Sequence, residues 1–138
     1  WTVGHSSRSK DYVLSLLKEH GIEVVVDVRR WPTSKLDHFK RENLERWLRE
    51  AGIEYVWLGD LLGGYRRGGY EAYMTTEDFK RGLERLIEIA SRRRTCLLCL
   101  EPDPKGCHRR FIARALRERG FRVVHILKKG EVRVEEPA

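Results

Sequence analysis

Apolar positions in this chain recur in two periods, and the switches between them set out an alternation of strands and helices. Trp1 to Gly4 is a short apolar run that ends in the polar turn Gly4-His5-Ser6-Ser7. Tyr12, Val13, Leu16 and Leu17 then follow at helical spacing up to a stop at Gly21. Glu23 to Asp27, built on Val24, Val25 and Val26, reads as a second, buried strand that breaks into the loop Val28-Arg29-Arg30-Trp31-Pro32-Thr33-Ser34. Leu44, Trp47 and Leu48 predict a helix over Arg41 to Ala51, and Ile53 to Leu58 a third strand. Tyr70, Tyr73 and Met74 suggest a brief helical turn. Thr75 or Thr76 then caps a long helix from about Glu77 to Arg92 that buries Phe79, Leu83, Leu86, Ile87 and Ala90. Thr95 to Leu100 is a fourth strand and Arg122 to Leu127 a fifth, with Glu131 to Val134 as a short edge strand.

This order predicts a single α/β domain over residues 1–138: a mainly parallel central sheet of about five strands with helices on both faces, three layers in all. In an open parallel sheet the residues just past the carboxyl ends of the strands share one rim, where ligands bind. His5 follows the first strand, Asp27, Arg29 and Arg30 the second, Asp60 the third and Glu101 the fourth, and His125 lies near the end of the fifth. Residues far apart in sequence are therefore expected to converge.

The stretch Thr95 to Arg110, TCLLCLEPDPKGCHRR, concentrates the chemistry. Pro102, Asp103, Pro104, Lys105 and Gly106 end the strand, and apolar spacing resumes at Phe111, Ile112, Ala115 and Leu116. Cys107, His108 and Arg109 therefore sit at or near a helix N-terminus, whose free N–H groups stabilise a thiolate or a bound phosphate. The expected catalytic set is His5, Asp27, Glu101, Cys107 and His108, and Arg29 and Arg109 are expected to hold an anion.

Charge adds a partner class. The net charge is +7 and the pI near 9.6, which favours a phosphorylated small molecule or nucleic acid. Charged residues make up 36% of the chain, so surface ion pairing of the heat-adapted kind is the competing explanation. In Leu61 to Gly69 glycines are too many for a helix or strand interior, and the neighbouring Tyr65, Arg66 and Tyr70 offer rings for bases and a cation for phosphate. The loop reads equally as a surface cover for the core. No membrane span or signal peptide is evident, and three cysteines in such a chain favour reduced thiols and a cytoplasmic setting. The chain opens inside a strand at Trp1, so a few residues are expected to precede it.

Cofactors and metals are not expected. Cys96 and Cys99 have CxxC spacing, but side chains three apart on a strand point to opposite faces and cannot chelate one ion together. A site from Cys99, Glu101, Cys107 and His108 stays open. A Cys-x5-Arg phosphate loop is excluded because Ala113 lies six residues after Cys107 and Lys105 six after Cys99, and no glycine-rich nucleotide fingerprint follows the first strand.

Several pieces together resemble one family. They are Gly4-His5-Ser6, Asp27-Val28-Arg29 with Pro32 and Ser34, Leu62-Gly63-Gly64, Tyr73-Met74 with Phe79, and above all Cys99-Leu100-Glu101 with Cys107-His108-Arg109. In this order they resemble the domain-of-unknown-function 488 family (DUF488). The resemblance implies a compact three-layer α/β domain and leaves the reaction open. Leu100 departs from the small residue expected at such a strand end and is expected to narrow the pocket. Two function classes follow: an enzyme acting on a nucleotide or nucleic acid, or a non-catalytic binder of the same ligands.

Overall fold

The computed structural model describes all residues from Trp1 to Ala138. Six strands form one sheet: β1 (Thr2–Gly4), β2 (Val24–Asp27), β3 (Glu54–Trp57), β4 (Thr95–Cys99), β5 (Val123–Lys128) and β6 (Glu131–Glu135). Their spatial order is β3-β2-β4-β1-β5-β6; the first five are parallel, and β6 adds antiparallel to β5 as the edge. The expected single α/β domain and its edge strand are therefore present.

Alternation along the strands divides the core in two. Val24, Val26, Leu97 and Cys99 point to one face, where α5 (Glu77–Ala90) and α6 (Arg109–Glu118) cover them with Phe79, Leu83, Leu86, Ile112 and Leu116. Val25, Cys96 and Leu98 point to the other, under α1 (Lys10–Glu19) and α2 (Arg41–Glu50), which contribute Val13, Leu16, Leu17, Leu44, Trp47 and Leu48. Cys96 and Cys99 thus lie on opposite faces, as strand geometry requires. Burial alone pushes the Cys96 thiol up to about 11, so it stays protonated.

Helix starts follow local chemistry. The Thr76 hydroxyl accepts from the Phe79 N–H at 3.2 Å to cap α5, and Ser9 does the same for Tyr12 at 3.1 Å in α1. The glycine-rich stretch is bracketed by two one-turn helices, α3 (Gly59–Leu62) and α4 (Tyr70–Tyr73). No helix is long and apolar enough to cross a membrane.

The strand order positions the site. The chain leaves β1 toward β2 and leaves β4 toward β5, although β1 and β4 are neighbours, so the connections depart in opposite directions over their carboxyl ends. A crevice opens there. Its base is held by backbone bonds beyond the strands, from His5 N–H to Cys99 O at 2.9 Å and from Ser6 N–H to Leu100 O at 2.8 Å. Gly4 permits this approach, since a Cβ there would stand 1.8 Å from the Glu101 carbonyl oxygen.

Candidate functional site

A cleft of about 870 Å³ lies over the carboxyl ends of β1, β2 and β4. Ser6 and Ser7 enter it from β1, Arg29 to Trp31 and Thr33 to Leu36 from the loop after β2, and Gly64 and Tyr65 from the glycine-rich stretch. The sequence around the fourth strand supplies the rest: Cys99, Leu100, Glu101 and Pro102 from one side, Gly106, Cys107 and His108 from the other. Leu100, half exposed at 50%, gives the wall an apolar face.

The floor is built by the turn from residue 100 to 106, which returns the chain to the end of β4. It brings Cys107 onto Cys99, and the two form a disulfide. Reduced thiols were the expectation from an odd cysteine count. The count misled because the third cysteine, Cys96, is sealed in the opposite face of the sheet, leaving a matched pair at the strand end. The Arg109 N–H at the start of α6 donates to Cys107 Sγ at 3.5 Å.

His108 is fixed by one bond. Its Nε2 donates to the Val28 carbonyl at 2.9 Å, so the Nδ1 lone pair is left facing Cys107 Sγ at 3.7 Å. Burial, then the nearby Arg109 and Arg66 charges, lower its pKa, opposed by the bond to Val28; the imidazole is neutral at pH 7. Gly64 stands beside it: a Cβ there would come within 3.0 Å of Nδ1. The sulfurs of Cys99 and Cys107 and a ring nitrogen of His108 lie within 4.8 Å of one another, a set with metal-ligand chemistry. Glu101, exposed on the cleft wall, is not part of it.

Beneath this surface lies a buried polar layer. Arg29 donates through Nε and Nη2 to the two Asp27 oxygens at 2.8 Å each, and the Tyr55 hydroxyl donates to Asp27 Oδ2 at 2.6 Å. Burial and then the Asp27 charge raise the Tyr55 pKa far above the ordinary phenol range. Arg29 Nη1 reaches the carbonyls of Phe39 at 2.8 Å and Thr33 at 3.3 Å, tying the loop after β2 down to the sheet. His5, behind Arg29, donates from Nδ1 to Ser6 O at 2.9 Å and packs against Phe39 at 4.4 Å between ring centroids. Burial is the main reason its pKa falls to about 4, so it too is neutral.

The ten residues expected to form the site therefore divide. Glu101, Cys107, His108, Arg29 and Tyr65 line the cleft together. Asp27 and His5 sit one layer below, fully buried and bonded to the protein. Arg109 is also fully buried: it shares the inward stripe with Ile112, Ala113 and Leu116, and its Nη2 donates to Pro102 O at 3.0 Å, with Nε and Nη1 finding no protein acceptor. Burial lowers its pKa to about 10, leaving it charged at pH 7. Arg66 donates to the carbonyls of Gly63 and Asp60 and lies 4.0 Å over the Tyr73 ring, so it braces the glycine-rich stretch. Tyr70 is buried, with its hydroxyl on Leu62 O at 2.7 Å and its ring stacked on Phe111.

Sequence reasoning placed Tyr65 and Arg30 at the rim but passed over Trp31 and Lys35. Trp31 is 59% exposed, Tyr65 85%, and their ring centroids are 5.6 Å apart. The Arg30 guanidinium lies 5.1 Å over the Trp31 ring and donates to the Tyr65 carbonyl at 2.6 Å, joining the two loops, and Lys35 lines the same cleft. The available signal was a tryptophan in a polar run, with no helical or strand period to bury it.

A three-layer α/β domain with an open cleft at the switch of strand direction is the class these features define. A family model described as "Domain of unknown function DUF488" matches residues 9–116, and the chain belongs to that family. No curated protein and no solved structure matches it.

Proposed function

We propose that the protein is an enzyme acting on a nucleotide or nucleic acid bound in this cleft. The observation that carries the reading is the pairing, in one cavity, of an aromatic and basic rim with a floor of reactive groups. Trp31 and Tyr65 offer faces on which a base stacks, and Arg30 and Lys35 supply charge for phosphate. His108 and Glu101, and Cys107 once its disulfide to Cys99 is reduced, are the groups within reach of the bound ligand that can donate or accept a proton or attack it. Asp27 and His5 act as positioning residues: they hold Arg29, and Arg29 holds the loop that carries Trp31 and Lys35.

The non-catalytic reading draws on that same buried layer. Two of the five expected catalytic groups, Asp27 and His5, have their hydrogen bonds satisfied within the protein and do not face the cleft. One experiment separates the readings. Nucleotides and short single-stranded oligonucleotides are titrated against the protein using tryptophan fluorescence, and the bound ligands are then followed for conversion by mass spectrometry. An enzyme binds and converts a ligand, and Glu101→Gln keeps binding while losing conversion. Binding without conversion of any ligand leaves the non-catalytic role, and absence of binding to the parent protein defeats both.

A further inference from the structure

We propose that Cys99 and Cys107 in their reduced form, together with Nδ1 of His108, are a three-ligand site for a zinc-class divalent ion whose fourth position opens into the cleft. Several observations converge on it. The three donor atoms already lie within 4.8 Å of one another. Tetrahedral coordination with Zn–S bonds of about 2.3 Å sets two sulfurs about 3.8 Å apart, a small outward movement from the disulfide. The Cα atoms of Cys99 and Cys107 are 7.4 Å apart, wider than the roughly 4.4–6.8 Å over which most disulfides form, so the backbone has room for an ion between the thiolates.

The outer partners of a metal site are also in place. His108 donates Nε2–H to the Val28 carbonyl, the bond by which metal-bound imidazoles are usually oriented, and this leaves Nδ1 as the ligand atom. The Arg109 N–H donates to Cys107 Sγ and would stabilise its thiolate. Beside Nδ1, the missing side chain of Gly64 keeps the approach open. Two thiolates and an imidazole suit zinc over calcium or magnesium. Because all three ligands line the cleft, the remaining position is turned toward substrate and would hold a water of lowered pKa.

Assembly requires reduction. A dithiol reductant gives two electrons and two protons to the Cys99–Cys107 disulfide and leaves as its own disulfide; the ion then displaces the two thiol protons. The inference deepens the proposed function by making Cys107 a ligand rather than the attacking group, and it rests on that reading only for what the ion acts upon. Its test uses no nucleotide, so the two can fail separately.

The protein is reduced with a phosphine, freed of reductant without air, and titrated with Zn2+ and with Co2+. The expected result is one ion per chain, thiolate-to-cobalt charge transfer with the intense visible bands of tetrahedral Co2+, and two of the three thiols protected from alkylation by one equivalent of Zn2+. Cys107→Ser is expected to abolish the charge-transfer pattern of the pair, His108→Ala to weaken affinity about 10-fold or more, and Cys96→Ala to leave both unchanged. The inference is overturned if Zn2+ leaves alkylation of the parent protein unchanged, a readout that needs no variant to fold. It is also overturned if Cys107→Ser binds Co2+ with the parent spectrum.

Discussion

Arg29 directs most of its donors at the protein: both Asp27 oxygens, the Phe39 carbonyl and the Thr33 carbonyl. Its charge is matched by Asp27 in a pair almost wholly out of water. Breaking a buried pair by removing one partner leaves the other charge uncompensated, at a cost of about 3–5 kcal/mol. Asp27→Ala is therefore expected to lower unfolding stability by about that amount in urea denaturation; a loss below about 1 kcal/mol would mean that the pair does not anchor the loop. His5 carries a pH signature of the same layer. Its folded pKa of about 4 lies below the ordinary 6.5, chiefly from burial, with Arg29 and His38 adding and Ser6 and Asp27 opposing. The unfolded chain thus binds a proton the folded protein refuses, so its stabilising contribution is fully present above pH 6.5 and falls as pH drops toward 4. The loss from His5 alone is about 3 kcal/mol across that window. Denaturation at stepped pH should show it, and the decline should be shallower in His5→Gln; an unchanged slope would assign the acid limb to other groups.

At the scale of elements, the cleft depends on the close approach of β1 to the segment after β4. Gly4→Ala would drive a methyl to within 1.8 Å of the Glu101 carbonyl, and the obstacle is backbone that cannot rotate away. A stability loss of about 3 kcal/mol or more is expected, together with lost ligand binding. A variant as stable as the parent would show that the β1 and β4 ends are looser than described. Most of the elements were legible in the sequence, because apolar runs such as Val24 to Val26 and helical stripes such as Phe79, Leu83 and Leu86 are core signals in themselves. Rim placement of Cys107, His108 and Glu101 was legible too, since a parallel sheet sends its strand ends to one side. Side-chain direction was not. Arg109 reads as an anion ligand until its spacing to Ile112, Ala113 and Leu116 is counted, which turns it inward. Arg66 and Tyr70 look like binding residues until the carbonyls left bare by a glycine-rich turn claim them. The partnership of Trp31 with Tyr65 joins loops 34 residues apart and has no local trace.

For the whole molecule, the charge of +7 has two destinations. Many basic side chains are engaged in ion pairs such as Arg93 with Glu54, Arg114 with Glu71 and Lys80 with Glu77, all well exposed and each worth little at room temperature. Arg30 and Lys35, by contrast, stand at the cleft without a carboxylate partner. Phosphate contacts release counterions while ring stacking does not, so the two parts of the rim should separate in a salt series. Lys35→Ala is expected to weaken oligonucleotide binding and flatten its dependence on salt by roughly one phosphate contact. Tyr65→Ala should weaken it with the salt slope kept. Equal slopes in all three proteins would remove Lys35 from phosphate recognition.

The location of a bound ligand is the most direct measurement. Crystals of the reduced protein soaked with a nucleoside monophosphate should show the base stacked on the exposed face of Trp31 or Tyr65, the phosphate toward Arg30 and Lys35, and the reacting end over Cys107 and His108. Ligand bound instead in the smaller recess of about 450 Å³ beside Glu45, Arg49 and Arg93, or an undisturbed 870 Å³ cleft at saturating nucleotide, would contradict the assignment of the site.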